Sequence, residues 1–386
     1  MRLFYFITVV LYLFFAHPVN AQQDSIQKGI QISLLTCGTG DEIYTVFGHS
    51  GVRIIDSNEG TDMVYNYGTF DGYDKDFEIK FMRGNLLYYL SAGPYEDFIQ
   101  EYNMEGRWVD EQIVLTSEPE KRQIQQYLLR NMLPENRAYR YDFFFDNCAT
   151  RIRDIFTQTH GAAFKYPNVL PDKKSLTFRD IINQYLQYNV WERFGINILL
   201  GSTIDVKMSN EQIMFLPDYL KDAFTKATLN GKAFTQPSKR IIDEAKPVRQ
   251  ADYSVLIVLY GLLVLFIVSL AIPKLRVMAK ILSNAILVIT GLLGLLILMM
   301  WYATSHQTCQ NNFNLLWVLP TNLLFVFRQQ QYKYALVAMC CIVLSFILHI
   351  SAVQCLLLPE MLPVMLLLLL VFGNIYTLQK RKMAHA

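Results

Sequence analysis

The segment Phe145-Asp146-Asn147-Cys148-Ala149-Thr150 sets a cysteine immediately after two residue types that cap the N-termini of helices. A second segment, Phe47-Gly48-His49-Ser50-Gly51, sets a histidine just before a run of branched residues that predicts a strand. The partial positive charge at a helix N-terminus favours a thiolate, and a neighbouring imidazole can take the thiol proton. We therefore predict that Cys148 is a nucleophile and that His49 is its base.

A third side chain is expected to orient the imidazole of His49, as in other nucleophile and base pairs. Asn66 and Tyr67 lie on the next predicted strand, where alternation turns only one of them to the face of His49. Tyr44, shortly before His49 in the chain, is a third candidate. Ordinary strand or loop positions are the alternative for all three residues.

Cys37, in a glycine-rich stretch before His49, is the alternative nucleophile. It could instead pack in the core or form a disulfide with Cys148, because only these two of the six cysteines precede the membrane runs. We rank Cys148 first because it begins a predicted helix. His160 is expected beyond the end of that helix and is the weaker candidate for the base. A buried structural role is the alternative for Cys148 and for His49.

Four residues are candidates for binding substrate. Arg151 lies one turn after Cys148 and can bind a phosphate, with a solvated arginine as the alternative. Asn147 adjoins the nucleophile, where backbone N–H groups can form an oxyanion hole. His306 and Asn314 belong to a later polar stretch that could close over the site or bind a lipid headgroup, although a hydrated loop with helix caps explains them equally.

Residues 1–21 predict a secretory signal peptide. Arg2 supplies the positive start, an apolar stretch follows, and Val19-Asn20-Ala21 fits a cleavage site. A permanent anchor helix is the alternative, but the apolar stretch is short for a membrane span.

Five apolar runs follow residue 250 and predict a membrane domain of about five helices over residues 253–378. The runs are Tyr253–Ile272, Ile281–Trp301, Phe313–Phe327, Tyr334–Leu358 and Met361–Leu378. The third run is short and contains Pro320, so we expect it to be kinked, re-entrant or extended by its neighbours. The last two runs are separated only by Pro359-Glu360, which fits either a tight turn or one broken helix.

Basic residues cluster in alternate connections between these runs. They are Lys274, Arg276 and Lys280, then Arg328 and Lys333, then Lys380, Arg381 and Lys382 in the tail 379–386. The connections Tyr302–Asn312 and Pro359–Glu360 contain no lysine or arginine. The positive-inside rule therefore predicts a multi-pass membrane protein, with the tail in the cytoplasm and residues 22–250 on the extracytoplasmic side. The near absence of charge within the runs argues against an ion-coupled transporter.

Residues 22–238 predict an α+β domain, and residues 239–252 predict a charged linker. The predicted strands are Ile30–Leu35, Val52–Ile55, Met63–Tyr67, Glu78–Phe81 and Leu86–Ala92. Helices are predicted at Glu118–Met132, from Cys148 onwards and at several positions between residues 175 and 230. The domain is net acidic and has no metal-ligand spacing, so we expect no nucleic acid, no metal and no other cofactor.

A histidine on a strand, followed by Asn147-Cys148 at a helix start, resembles the circularly permuted papain-like group, which includes the lecithin retinol acyltransferases and permuted NlpC-type hydrolases. A closer resemblance, to the Lnb-type lipoprotein N-acyltransferases, covers most of the chain. It rests on Leu34-Leu35-Thr36-Cys37-Gly38, Asp41-Glu42-Ile43-Tyr44, Phe47-Gly48-His49-Ser50, Val64-Tyr65-Asn66-Tyr67-Gly68-Thr69-Phe70-Asp71, Asp146-Asn147-Cys148-Ala149-Thr150-Arg151 and, near the tail, His306 with Asn312-Phe313-Asn314-Leu315-Leu316-Trp317.

The resemblance implies a permuted papain-like domain in the periplasm, followed by an all-α transmembrane bundle in the bacterial inner membrane. It implies transfer of an acyl chain from a phospholipid, through a thioester on Cys148, to the α-amino group of a lipoprotein's N-terminal diacylglyceryl-cysteine. The expected partners are a phospholipid donor, a diacylated lipoprotein acceptor and the lipid bilayer. Two alternatives stay open: a membrane-tethered cysteine peptidase or amidase that acts on cell-wall peptides, and a non-catalytic transport or sensor module.

Overall fold

The computed structural model describes residues 29–171, 176–244, 249–327 and 332–384. The predicted signal peptide lies outside the described residues, as do Arg328 and the last two residues of the tail. The described part of the chain begins with an α+β domain and continues with a helical region, as predicted. The permuted papain-like arrangement stays a prediction from the resemblance.

Ten strands occur in the described residues of the soluble domain. They are β1 Ile30–Cys37, β2 His49–Asp56, β3 Thr61–Thr69, β4 Leu87–Pro94, β5 Val109–Ile113, β6 Ala138–Arg140, β7 Phe164–Lys165, β8 Thr228–Leu229, β9 Lys232–Ala233 and β10 Lys239–Ile242. Seven of them form one antiparallel sheet in the order β10-β5-β1-β2-β3-β4-β6, and β7, β8 and β9 form a small second sheet.

Eight α-helices occur in the same described residues. They are α1 Phe77–Arg83, α2 Tyr95–Met104, α3 Glu118–Asn131, α4 Cys148–His160, α5 Phe178–Tyr185, α6 Val190–Leu199, α7 Asn210–Ile213 and α8 Pro217–Lys226. One face of the large sheet carries Leu34 and Val52 and packs against α3, α4 and α8. The other face carries Leu35 and Val64 and packs against α2. Strand β1 is therefore buried on both faces along nearly its whole length.

One predicted strand and one predicted boundary of the soluble domain differ from the structure. The alternating residues of Glu78–Phe81 suggested a strand, but they form α1, which has no buried residue and ends at Gly84 in the left-handed conformation at φ 68°. The predicted linker begins too early, because β10 pairs with β5 and Arg240 forms an ion pair with Asp110. The sheet therefore extends the soluble domain to Ile242.

The helical region contains five further α-helices among its described residues. They are α9 Ser254–Ala271, α10 Arg276–Tyr302, α11 Asn322–Phe325, α12 Tyr332–Ile350 and α13 Met361–Ala384. All except α11 are long and apolar enough to cross a membrane, which gives four candidate spans in the described part of the chain.

The third apolar run, Phe313–Phe327, is broken and does not form one spanning helix. A 3₁₀ helix at Phe313–Leu316 precedes Pro320, and only the single turn of α11 follows. The broken run packs closely along α10, where a Cβ on Gly294 would lie 2.0 Å from the Val318 carbonyl oxygen. We expected about five membrane helices. The described residues contain four helices of spanning length and one interrupted segment.

The soluble domain contacts the two connections that contain no lysine or arginine. The Ser305 N–H donates to the Arg83 carbonyl at 2.8 Å, and Arg193 forms an ion pair with Glu360 at 2.5 Å. Both contacts lie on the side that the positive-inside rule assigns to the periplasm. The position of the soluble domain thus agrees with the predicted orientation.

Two asparagines of the membrane region complete the C-terminus of α6. The Asn312 amide donates to the carbonyls of Ile198 and Leu199 at 2.8 and 2.9 Å, and the Asn314 amide donates to Ile198 at 2.9 Å. Carbonyls in the last turn of a helix have no partner within that helix. A helix of the soluble domain is therefore capped by the membrane region.

Candidate active site

Cys148 is the first residue of α4, and Asn147 caps that helix. The Asn147 side-chain oxygen accepts from the Thr150 N–H at 2.9 Å, and the Thr150 hydroxyl accepts from the Asn147 N–H at 2.8 Å. This reciprocal cap fixes the start of the helix. The thiol of Cys148 therefore lies at the positive end of the helix dipole.

His49 is the first residue of β2 and lies opposite Cys37 in the register with β1. Gly48 allows this approach, because its φ is +78° and a Cβ there would lie 2.8 Å from the Cys37 carbonyl oxygen. The His49 imidazole forms a hydrogen bond with the thiol of Cys148. The structure thus brings together the two residues that the sequence predicts as nucleophile and base.

Asn66 forms a hydrogen bond with the second ring nitrogen of the His49 imidazole. The His49 Nε2–H donates to Asn66 Oδ1 at 3.1 Å, which leaves Nδ1 for the thiol. Gly51 admits this contact, since a Cβ there would lie 3.0 Å from Asn66 Oδ1. Cys148, His49 and Asn66 therefore form one hydrogen-bonded line, which we call the triad.

The triad favours a charged pair. Burial opposes the charged form of both Cys148 and His49, but their mutual attraction and hydrogen bond outweigh it. The backbone N–H groups of Ser50 and Ala149 also donate to the sulfur. The pKa of the Cys148 thiol is consequently below its ordinary value, and the pKa of His49 is above its own. This arrangement can supply a thiolate at neutral pH.

Residues 19–184 match the family model described as the Lnb N-terminal periplasmic domain, and residues 252–383 match that of the Lnb transmembrane domain. The chain belongs to the Lnb family. It is therefore a membrane protein with a periplasmic domain, and that domain contains the triad. Searches among curated proteins and among solved structures found no match.

Two tyrosines beside Cys148 in this Lnb protein were missed by the sequence reasoning. The Tyr141 hydroxyl accepts a hydrogen bond from the Cys148 backbone N–H, which leaves its own proton available for donation. The Tyr139 hydroxyl is buried near Cys148 and, like that of Ser50, has no hydrogen-bond partner among the described residues. The spacing Tyr139-Arg140-Tyr141, with both rings on one side of β6, was the available signal.

Neither of the other two candidates for orienting His49 forms a hydrogen bond with it among the described residues. Tyr67 packs its ring against Tyr139, with centroids 6.1 Å apart, in the core beneath α4. Tyr44 lies on the surface with 73% of its area exposed. Asn66 is thus the residue of these three that the structure brings to the imidazole.

Cys37 of this Lnb protein is a free thiol, as is Cys148, so the predicted alternative of a disulfide between them is absent. Its side chain is fully buried against α2 and forms a hydrogen bond with Tyr102. Burial raises the pKa of the Cys37 thiol far above its ordinary value. A thiol that keeps its proton is a poor nucleophile, which disfavours Cys37 in that role.

Asn147 and Arg151 are occupied by protein contacts. Both amide hydrogens of Asn147 are donated, to the carbonyls of Phe143 and Phe215 at 2.9 and 2.8 Å, so this side chain has a structural role, and its role in binding substrate stays a prediction. Arg151 binds Asp146 through two hydrogen bonds of 2.6 and 2.7 Å. Its charge near the site is therefore already partly neutralised.

Three further predicted residues also lie in structural contacts. His306 is in hydrogen-bond contact with the Phe81 carbonyl at 3.1 Å, and Asn314 is buried as a cap of α6. These two residues join the domains and do not close over the thiol. His160 is the last residue of α4, where we had expected it beyond the helix end, and it contacts Glu120 at 3.2 Å, at the opposite end from Cys148.

Proposed function

We propose that this Lnb protein is a lipoprotein N-acyltransferase. It would move a fatty acyl chain from a membrane phospholipid, through a thioester on Cys148, to the α-amino group of a lipoprotein's N-terminal diacylglyceryl-cysteine. The observation that carries the proposal is the triad at a helix start, in a domain attached to membrane helices. Membership of the Lnb family supports the class of acceptor.

The first half-reaction acylates the enzyme. The Cys148 thiolate attacks the carbonyl carbon of a phospholipid ester, and the carbon–sulfur bond forms as the carbonyl oxygen becomes an oxyanion. Collapse of this intermediate breaks the ester carbon–oxygen bond. The His49 imidazolium gives its proton to the departing alkoxide, and a lysophospholipid leaves.

The second half-reaction transfers the acyl chain. The lipoprotein amine attacks the thioester carbonyl while His49, now neutral, takes a proton from the nitrogen. The carbon–sulfur bond breaks, an amide forms and the thiolate and imidazolium pair is restored. The ester of the donor provides the free energy, so neither a nucleotide nor a metal enters the scheme.

Tyr141 is our proposed donor to the oxyanion. Its hydroxyl oxygen lies beside the Cys148 backbone N–H, and a hydroxyl that accepts a hydrogen bond there still has its own proton to donate. The unpartnered hydroxyl of Tyr139 is a further donor at the same place. Fixed donors aimed at a developing negative charge are typically a large contribution to catalysis.

The attachment of the domain favours a lipid substrate over a cell-wall peptide. A peptidase needs no more than one anchor helix, whereas here the soluble domain contacts the membrane region through Ser305, Asn312, Asn314 and Glu360. Such contacts hold the thiol at a fixed position relative to the bilayer. A fixed position suits a substrate whose ester lies at the membrane surface.

The test is mass spectrometry of lipoprotein N-terminal peptides from cells that make diacylated lipoproteins. We expect a third acyl chain on the N-terminal cysteine when the intact protein is expressed, and none with Cys148→Ser. Cys37→Ser is the matched control and should still add the chain. If the intact, membrane-inserted protein adds no chain, the acyltransferase proposal fails for this acceptor.

A further inference from the structure

Helix α1 exposes apolar side chains on the surface of the soluble domain. Ile79, Phe81 and Met82 are 50%, 55% and 44% exposed, and no residue of the helix is buried. Seven residues with several exposed apolar side chains cannot form a stable helix in water by themselves. Such a helix requires an apolar environment that the protein alone does not supply.

The end of α1 is held where α10 leaves the membrane. The carbonyl of Arg83 accepts from the Ser305 N–H at 2.8 Å, and the Asn85 side chain accepts from the Ser305 hydroxyl at 3.0 Å. Ser305 follows directly after α10, which ends at Tyr302. Helix α1 is therefore held beside the end of a candidate membrane span, and short helices with exposed aromatic residues bind the boundary between headgroups and acyl chains.

A continuous row of aromatic rings leads from α1 to Cys148. Successive centroids lie 6.1, 5.5, 5.5 and 4.7 Å apart along Phe81, Phe77, Phe70, Tyr88 and Tyr141. We call these five residues the aromatic row. Its last member, Tyr141, packs against the core cluster that contains Cys148, so the row ends beside this thiol.

We propose that α1 lies in the periplasmic interface of the membrane and that the aromatic row binds an acyl chain of the donor phospholipid on its way to Cys148. The occupant must be apolar, extended and able to reach the thiol from the bilayer, which describes a fatty acyl chain. The second half of this inference rests on the proposed acyl transfer, whereas the position of α1 does not.

The aromatic row is tested by the rate at which Cys148 is acylated. The full-length protein in lipid nanodiscs is compared with the double variant Phe77→Ser/Phe81→Ser, and mass spectrometry follows the thioester. We expect acylation by phospholipid to slow on the order of tenfold or more, because the acyl chain loses apolar contacts. Acylation by the small soluble ester p-nitrophenyl acetate, which needs no such path, should be unchanged.

Two matched variants separate lipid binding from folding. Phe77→Leu/Phe81→Leu keeps an apolar path and should retain most of the rate. Leu115→Ser removes a side chain that is 44% exposed at the opposite end of the sheet, where Ile113 pairs with Ser33, and should change neither rate. The proposed role of the aromatic row would be overturned if Phe77→Ser/Phe81→Ser left the rate of acylation by phospholipid unchanged. It would also be overturned if that variant lowered the rates with phospholipid and with p-nitrophenyl acetate equally.

The position of α1 has its own measurement. The fluorescence of an Ile79→Trp variant should be quenched by phospholipids brominated on their acyl chains, beyond the quenching of the unsubstituted protein, and a Leu115→Trp variant should show no such excess. Absence of quenching at position 79 overturns the placement of α1. If the unsubstituted protein is acylated by neither ester while position 79 is quenched, the proposed acyl transfer fails and the placement of α1 stands.

Discussion

Cys148 and Cys37 are both buried free thiols, on opposite faces of the large sheet: Cys148 begins α4 on one face, and Cys37 ends β1 and packs against α2 on the other. Burial raises the pKa of each thiol. Around Cys148 a histidine and two backbone N–H groups reverse that effect, whereas the hydrogen bond from Tyr102 and the charge of Arg107 are too weak to reverse it at Cys37. Reactivity is therefore decided by the donors that face the sulfur, and depth in the protein does not decide it.

The difference follows from the elements that carry the two residues. Cys148 begins a helix, where N–H groups have no partner within the helix and can donate to a thiolate. Cys37 ends a strand whose N–H groups are used in pairing with β2 and β5. A strand therefore leaves its thiol with few donors, and the proton stays on the sulfur.

The largest effect is expected when the two thiols are exchanged for hydroxyls one at a time. Cys148→Ser should reduce kcat/KM for acyl transfer on the order of 10⁴-fold, because the nucleophile is lost. Cys37→Ser should leave it nearly unchanged. Kinetics in lipid nanodiscs, at equal folded fractions, measure both. A comparable loss in Cys37→Ser would remove the distinction between the two cysteines.

A smaller effect is expected from the hydroxyl that faces Cys148. Tyr141→Phe keeps the ring in place but removes the proposed oxyanion donor, so kcat should fall about 10²-fold with little change in KM. Single-turnover acylation of Cys148 provides the measurement. The matched control is Tyr102→Phe beside Cys37, whose hydroxyl has no part in the reaction and whose loss should spare kcat.

Asn66→Ala should cost less, about tenfold in rate, because the imidazole is still present but no longer oriented. Its pH profile is more informative. Asn66 raises the pKa of His49 by accepting its N–H, so its removal lowers that pKa and moves the alkaline limit of activity to lower pH. A less stable imidazolium also raises the pKa of the Cys148 thiol and moves the acidic limit upward. The active pH range should narrow from both sides, and an unaltered profile in this variant would rule out an orienting role.

The smallest expected effect concerns Cys37 as a packing residue. Cys37→Ala should leave acyl transfer unchanged and lower the free energy of unfolding by about 1–2 kcal/mol, from a small cavity and an unpaired Tyr102 hydroxyl. Thermal unfolding in detergent measures the shift, with Cys340→Ala, at an exposed membrane-region thiol, as the control. A gain in stability would show that Cys37 is not part of a well-packed core.

The sequence predicted Cys148 and His49 because a helix start and a strand start can be recognised from short local patterns. Strand alternation alone could not decide between Asn66 and Tyr67 as the residue that orients His49. The answer depends on which face of β3 turns to His49. Register shifts between Asn66 and Thr69 make that face harder to assign from the chain alone. Local patterns therefore predicted the helix start at Cys148 and the strand start at His49, and pairing between strands placed Asn66 beside His49.

The errors share a different physical cause. Glu78–Phe81 alternates like a strand, yet it forms α1, whose partner is a connection more than two hundred residues later in the chain. The polar residues near the third apolar run fitted either substrate binding or helix capping, and Asn314 caps a helix of another domain. Each of these contacts joins distant segments, which single-sequence patterns do not encode.

The asparagine cap on α6 also has a consequence for the order of assembly. Asn312 follows Ile198 by 114 residues, so a ribosome completes α6 long before its cap exists. During synthesis the last carbonyls of α6 lack these hydrogen-bond donors until α9 and α10 have entered the bilayer. The soluble domain therefore acquires its final form only after its own membrane region is in place, which delays completion of the proposed acyltransferase until it has reached the membrane.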